Sequence, residues 1–321
     1  MADNHNYAFV GLGAMGFGMA SNIRKKIPSS SILYIYDVYQ PTCDKFVAEF
    51  GQYGPIEITQ SGKEVAANAQ VLISSLPSLE SVRTVYLDET TGVVAAPANP
   101  DRLLLECSTI ESSVARELGE KLAAAKAGVY VDTPVSGGAP AATAGKLSFM
   151  IGHANPNPNP DSKPAEGSGS GSDPIGQRIQ DVLSFLGEPQ KFFWCGPLGA
   201  GLAAKISNNY ISCTVFLVVA EAMAIGARSG IDPALLSNVI RNSSGQTFMG
   251  DIVTSVPKEL LESKNGFPAH LMIKDLGLGV DVGKATGVTP HMALAALDIW
   301  KQAAEDPAVV VKDGFPQFKK N

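Results

Sequence analysis

The 321-residue chain is 45% hydrophobic and 17% charged, which suits a buried globular core and excludes a disordered polymer. Its net charge of -6 and pI of about 5.3 exclude a global basic field for nucleic acid or an anionic membrane, but not a local pocket for a small anion. At about 100–200 residues per domain, two domains are expected.

The N-terminus, MADNHNYAFVG, shows neither an apolar signal region nor an Arg-rich amphipathic stretch. The cytoplasm is therefore the expected compartment, with the mitochondrion as the alternative. Short apolar runs at 7–10, 32–36, 71–74, 103–106 and 129–131 read as strands. Each is bounded by turn residues, as strands buried on both faces are. Helical segments such as 15–26 and 114–126 lie between them. This alternation predicts a parallel sheet covered on both faces, which the runs at 147–151 and 190–194 could extend.

Residues 155–173 (NPNPNPDSKPAEGSGSGSD) are a low-complexity insert, expected as a surface loop. From Gly196 onward the strand signals give way to helices at 198–228, 233–242, 249–262, 269–284 and 292–305. The expected domains are therefore 1–195, α/β, and 196–321, all-α, joined by a long helix starting at Pro197. Within it Tyr210–Ala220 is apolar for 11 residues. A bilayer span needs about 20, so a helix buried inside the protein is expected. The four cysteines and four histidines show no metal-ligand spacing, so no metal site and free, mostly buried thiols are expected.

The first strand runs directly into Gly11-Leu12-Gly13-Ala14-Met15-Gly16, a GxGxxG that opens a helix. Gly11 allows the tight turn, Gly13 lets a pyrophosphate approach the backbone, and Gly16 lets helix and strand pack closely. The helix N-terminus supplies unpaired N–H groups to the phosphates. The second strand ends in Asp37, 21 positions after Gly16, where a carboxylate can accept the ribose hydroxyls. It would repel a 2′-phosphate, and Val38-Tyr39-Gln40 supplies no arginine to hold one. NAD is thus expected rather than NADP. Asp37 also reads as a capping residue for the helix that follows. These features make the first domain a Rossmann-type doubly wound sheet.

Oxidising an alcohol also requires a proton acceptor. Lys205 lies on the long apolar helix after a glycine-rich entry, with Asn209 at i+4 on the same face. Desolvation there would lower the lysine pKa and favour a proton-exchanging amine; the other reading is a lysine whose head reaches solvent. The upstream glycines let either another backbone or a flat cofactor ring come close.

Four blocks, GLGAMGFGMASN (11–22), DTPVSGG (132–138), 196–209 with Lys205, and FPAHLMIKDL (267–276), together resemble the 3-hydroxyisobutyrate dehydrogenase family of β-hydroxyacid dehydrogenases. The resemblance covers nearly the whole chain outside the insert. It implies that Lys205 is the catalytic lysine and Asn209 the substrate-orienting asparagine. It also implies that Ser136, Gly137 and Gly138 hold the substrate carboxylate. Leu76, Pro77 and Ser81 would lie beside the cofactor, and Ser108 and Thr109 near the nicotinamide. Lys274 would contact the cofactor, with Asp275 as its acidic neighbour at the substrate site; an exposed ion pair is the alternative reading of these two. Two departures stand out: Gln246 follows Ser243-Ser244-Gly245 where the family carries an arginine, and Glu106 replaces the usual aspartate. The expected activity is NAD-dependent oxidation of a small 3-hydroxy acid by a homodimer or homotetramer, in a site between the domains. Tartronate or succinate semialdehyde reduction, and a non-catalytic nucleotide-binding role, are the alternatives.

Overall fold

The computed structural model describes residues 5–156, 173–255 and 269–305, together with the paired two-residue strands 309–310 and 317–318. Two compact units divide the chain, Met1–Lys205 and Ile206–Asn321.

The first unit is built on six parallel strands: β1 (Tyr7–Val10), β2 (Leu33–Tyr36), β3 (Ile56–Ile58), β4 (Val71–Ser74), β5 (Leu103–Glu106) and β6 (Val129–Asp132). Their spatial order is β3-β2-β1-β4-β5-β6. The order reverses between β1 and β4, and dinucleotides bind at such switch points, beyond the carboxyl ends of the strands. Strand side chains alternate between faces. Phe9, Leu33, Ile35, Ile73 and Leu105 fill one core, while Ala8, Val10, Leu72, Leu104 and Tyr130 fill the other. Helices α1 (Gly16–Lys26), α2 (Gln40–Phe50), α3 (Gly62–Asn68), α4 (Leu79–Leu87) and α5 (Ser112–Ala124) connect the strands.

The runs at 147–151 and 190–194 do not extend this sheet. β7 (Val135–Ser136), β8 (Leu147–Ile151) and β9 (Gly187–Trp194) form a separate three-stranded sheet, with β7–β8 antiparallel and β8–β9 parallel. The chain turns out of β6 through Thr133-Pro134, and proline has no N–H for a ladder. β8 still hydrogen-bonds there: Met150 N–H donates to the Pro134 carbonyl at 3.0 Å and Gly152 N–H to that of Asp132 at 2.8 Å. Helices α6 (Gly138–Ala144) and α7 (Pro174–Leu183) flank β8 in the chain.

Helix α8 runs from Ala200 to Arg228, beginning later than the expected Pro197. Gly199 has φ +92°, outside the helical region, so Pro197–Gly199 form a turn closed by the Ala200 N–H on the Pro197 carbonyl at 2.9 Å. The second unit continues with α9 (Pro233–Arg241), α10 (Phe248–Ser255), α11 (Ala269–Ala285) and α12 (His291–Glu305). The helix expected at 249–262 is helical to Ser255; its remainder lies outside the described residues. Cys213 and Phe216 of α8 pack with Met272, Leu276, Val280 and Trp300. The expectation that Tyr210–Ala220 is buried fails on one side: Ile211 is 62% and Val218 50% exposed. By length and composition α8 could cross a membrane, but its inward face carries Asn209, hydrogen-bonded to Asp275.

Candidate active site

The glycine turn sits where β1 meets α1. Gly11 has φ +91°, and a side chain there would strike the Ser75 carbonyl. A side chain on Gly16 would strike the Gly11 carbonyl and Phe9, so helix and strand pack as closely as the sequence requires. At Gly13, by contrast, an added carbon meets open space. Gly13 and Ala14 are exposed, Leu12 is buried and Met15 half-buried. The start of α1 has neither a side-chain cap nor an acidic residue in its first turn. An open backbone cradle at a helix N-terminus with no competing carboxylate suits a pyrophosphate.

Asp37 is half-buried at the end of β2. Its Oδ2 accepts the Leu12 N–H at 2.6 Å and its Oδ1 the Tyr39 N–H at 2.8 Å. It therefore ties the glycine turn to the start of α2, and each oxygen keeps lone-pair capacity for a ribose hydroxyl. Asp37 thus bonds the amide of Tyr39, the residue before the helix, and does not itself cap it.

The loops after β4 and β5 are joined. Leu76 N–H donates to Ser108 Oγ at 2.6 Å. Glu106 is fully buried; its Oε1 accepts the Ser108 N–H and its Oε2 the Ser74 hydroxyl, both at 2.7 Å. Ser74 Oγ lies 2.7 Å from the Tyr86 hydroxyl. Burial pushes the Glu106 carboxyl up to about 7, against the opposing pull of its serine hydrogen bonds. Pro77 is exposed and Thr109 half-buried. Ser81 belongs to the first turn of α4, where its N–H and hydroxyl bond Ser78.

Ser136 ends β7 and is half-buried, whereas Gly137 and Gly138 are exposed. The two glycines have φ +134° and +71°, so their amides turn sharply at the start of α6. Asn22 fixes this helix to α1: its Nδ2 donates to the carbonyls of Ala142 at 2.8 Å and Thr143 at 3.1 Å. Asn22 lay within a quoted block but had no expected role.

Asp132 was likewise quoted without a role. Its Oδ1 accepts the Gly199 N–H and its Oδ2 the Leu202 N–H, both at 2.7 Å, and this bond pair fixes the start of α8. Burial raises its pKa despite those bonds. A side chain on Gly201 would strike the Met150 carbonyl. Backbone approach therefore accounts for that glycine.

Lys205 is half-buried, one turn before buried Asn209. Asn209 Nδ2 donates to Asp275 Oδ2 at 2.6 Å, and its Oδ1 accepts from Asn208 Nδ2 at 3.2 Å. Lys274 Nζ lies 3.4 Å from Asp275 Oδ1, with their side chains 32% and 4% exposed. An exposed ion pair does not describe Asp275. Its buried carboxylate holds Asn209, a link that residue spacing gave no means of seeing.

Two family models match the chain. Residues 6–157 match the NAD binding domain of 6-phosphogluconate dehydrogenase. Residues 199–308 match the NAD-binding domain of NADP-dependent 3-hydroxyisobutyrate dehydrogenase. The chain is 33% identical to a Pseudomonas aeruginosa NAD-dependent L-serine dehydrogenase, over 97% of this chain and 93% of that protein. It is 34% identical to a 3-hydroxyisobutyrate dehydrogenase of the same organism, over 94% and 93%. The solved structure of Mycobacterium tuberculosis 3-hydroxyisobutyrate dehydrogenase with L-serine superposes with a TM-score of 0.76 at 30% identity, covering 97% of each chain. The chain belongs to the 3-hydroxyisobutyrate dehydrogenase family of β-hydroxyacid dehydrogenases, NAD(P)-dependent oxidoreductases acting on CH–OH groups.

Proposed function

We propose that this protein oxidises a small 3-hydroxy acid, of the 3-hydroxyisobutyrate or L-serine type, using NAD and Lys205 as the acid/base. The observation that carries the reading is the α8 arrangement: Lys205 one turn from an asparagine whose amide is held by a buried carboxylate at 2.6 Å. L-serine enters because two of the relatives are named for it or hold it, and serine is itself a 3-hydroxy acid.

The bound dinucleotide supplies the hydride acceptor. The Ser136 hydroxyl and the Gly137–Gly138 amides hold the substrate carboxylate, a compact anion site in a glycine turn. Lys205 Nζ, neutral in the productive state, takes the hydroxyl proton and returns it in the reverse direction. Asn209 keeps one amide N–H and part of its carbonyl oxygen available to orient the hydroxyl. Lys274 is the lysine that the family resemblance assigns to the cofactor. Asp37 disfavours a 2′-phosphate by charge, which supports NAD over NADP. At the substrate end, Gln246 Nε2 donates to Asp251 Oδ2 at 3.0 Å while Arg241 Nε bonds Oδ1 at 3.2 Å. The neutral glutamine is a reason to test serine beside 3-hydroxyisobutyrate.

A homo-oligomer forms part of the proposal. Ile211, Val218 and Ile225 recur every seven residues on α8 and are 62%, 50% and 67% exposed. A helix of a second copy is the natural cover for such a stripe.

The test is cofactor reduction by absorbance, with NAD and NADP in parallel. Substrates are 3-hydroxyisobutyrate, L-serine, glycerate, 4-hydroxybutyrate and 6-phosphogluconate, with Lys205→Ala as control. Turnover with NAD is expected, falling at least about 1000-fold in the variant while NAD still binds. NAD binding without turnover of any substrate or matching aldehyde would favour the non-catalytic alternative.

A further inference from the structure

Glu106 is a buried acid that the proposed chemistry does not use. It stands at the end of β5, and its carboxylate reaches two neighbours at 2.7 Å: the Ser108 amide on its own loop and the Ser74 hydroxyl on β4. Ser108 Oγ in turn accepts the Leu76 N–H at 2.6 Å. The chain Tyr86–Ser74–Glu106–Ser108–Leu76 thus ties α4, β4 and β5 to the loop assigned beside the cofactor and the loop assigned near the nicotinamide.

We propose that Glu106 is a positioning residue for the dinucleotide: its carboxylate clamps the β4 loop to the β5 loop, and gaining a proton loosens the clamp and the hold on the cofactor. This inference rests on the NAD-dependent reading above.

Donor counting gives the physical reason. With Glu106 ionised, both of its oxygens only accept, and every donor is placed: Tyr86 O–H to Ser74 Oγ, Ser74 O–H to Oε2, Ser108 N–H to Oε1, and the Ser108 hydroxyl to the same carboxylate. A protonated carboxyl must itself donate. The Ser108 amide cannot reverse, so the new proton must displace a hydroxyl donor, that of Ser74 or that of Ser108. In the first case Ser74 turns its hydroxyl towards Tyr86, whose own proton loses its acceptor; in the second the Ser108 hydroxyl loses its own, and both places are buried. A charge-assisted bond becomes a neutral one and a buried donor is stranded.

Acidic and neutral groups surround the site. Tyr86, Cys107 and Tyr130 all feel the Glu106 charge, and Asp132 is its register partner on β6. Thr133 N–H bonds the Glu106 backbone carbonyl at 2.8 Å. Burial raises the Glu106 carboxyl to about 7, so the switch falls where a binding assay can follow it.

The experiment is NADH binding by fluorescence from pH 6 to 9, without substrate, for wild type, Glu106→Gln, Glu106→Asp and Ser74→Ala. Wild-type affinity is expected to weaken by about 5-fold as pH falls through 7, the worth of one hydrogen bond. Glu106→Gln presents one donor and one acceptor, like the protonated acid. It should bind at the acid-limb affinity at every pH. Glu106→Asp keeps the charge and should restore a pH-dependent profile. Ser74→Ala removes a bond to the charged form, so its midpoint should move upward, a shift that a merely structural strap would not produce. A Glu106→Gln variant that is folded by near-UV circular dichroism and keeps the wild-type affinity and pH profile overturns the inference. So does a Ser74→Ala midpoint that stays in place. Wild type that binds no NADH at any pH sinks the NAD-dependent reading instead.

Discussion

Asp275 and Glu106 are both buried carboxylates, and each is hydrogen-bonded to a polar side chain of another element. The family resemblance places Asp275 at the substrate site; its Oδ2 accepts from Asn209 at 2.6 Å and its Oδ1 faces Lys274 at 3.4 Å. Asp275→Asn can donate as well as accept, so the Asn209 amide is free to flip. We expect kcat to fall about 10-fold or more with KM changed less, since orientation rather than ground-state binding is lost. Equal loss in both constants would return Asp275 to substrate binding. Glu106 carries a stability prediction with a definite sign. Its folded pKa of about 7 lies above the usual glutamate value of 4.5, so between these values the native state binds more protons than the unfolded one. Stability therefore falls as pH rises from about 4.5 to 7. Glu106→Gln should remove that decline, making the variant more stable than wild type at pH 8 by up to about 3 kcal/mol. Urea unfolding at pH 5 and pH 8 measures it; an equal effect at both values would refute the linkage.

At the scale of elements, α8 shows what sequence reasoning reaches and where it stops. The glycine-rich entry, Lys205 and Asn209 were legible because a helix places i and i+4 together. Its first turn was misplaced by three residues, because the left-handed φ of Gly199 leaves no mark that distinguishes it from a helical glycine. Its anchor, Asp132, lies 67 residues earlier, beyond any local pattern. Asp132→Ala removes two charge-assisted bonds to amides of the α8 entry and should cost about 2 kcal/mol or more, read as a lower urea midpoint. The outer face of α8 was misread for a different reason: an apolar run looks the same whether its cover comes from its own chain or a second one. Ile225→Glu places a charge in the proposed seam, where Ile225 is 67% exposed in this chain. Light scattering should show a smaller assembly with the helical content kept. An unchanged mass would remove α8 from the interface.

For the molecule as a whole, the parallel sheet was legible from short apolar runs alternating with helical segments, because most of its strands are short and largely buried. The three-residue β3, Ile56–Ile58, was passed over: its neighbours are polar and it pairs only at the sheet edge with β2. The three-stranded sheet was assigned to the wrong neighbours because periodicity identifies a strand but not its partner. The insert was marked out by composition alone, and its residues 157–172 lie outside the described ones. Its flanks come together: the Asp173 carboxylate accepts the Gly176 N–H at 2.9 Å and lies 3.4 Å from His153 Nδ1. A side chain on Gly176 would also touch Pro156. Both flanks thus meet near one point, so a Gly-Ser-Gly link can replace residues 157–172. Shortening a closure from 16 residues to three saves about 1.5 kcal/mol of chain entropy. The shortened protein should therefore unfold at higher urea with kcat and NADH affinity unchanged. If affinity falls while stability rises, the insert contributes to the cofactor side of the molecule; if stability falls, its chain is making contacts that its composition does not suggest.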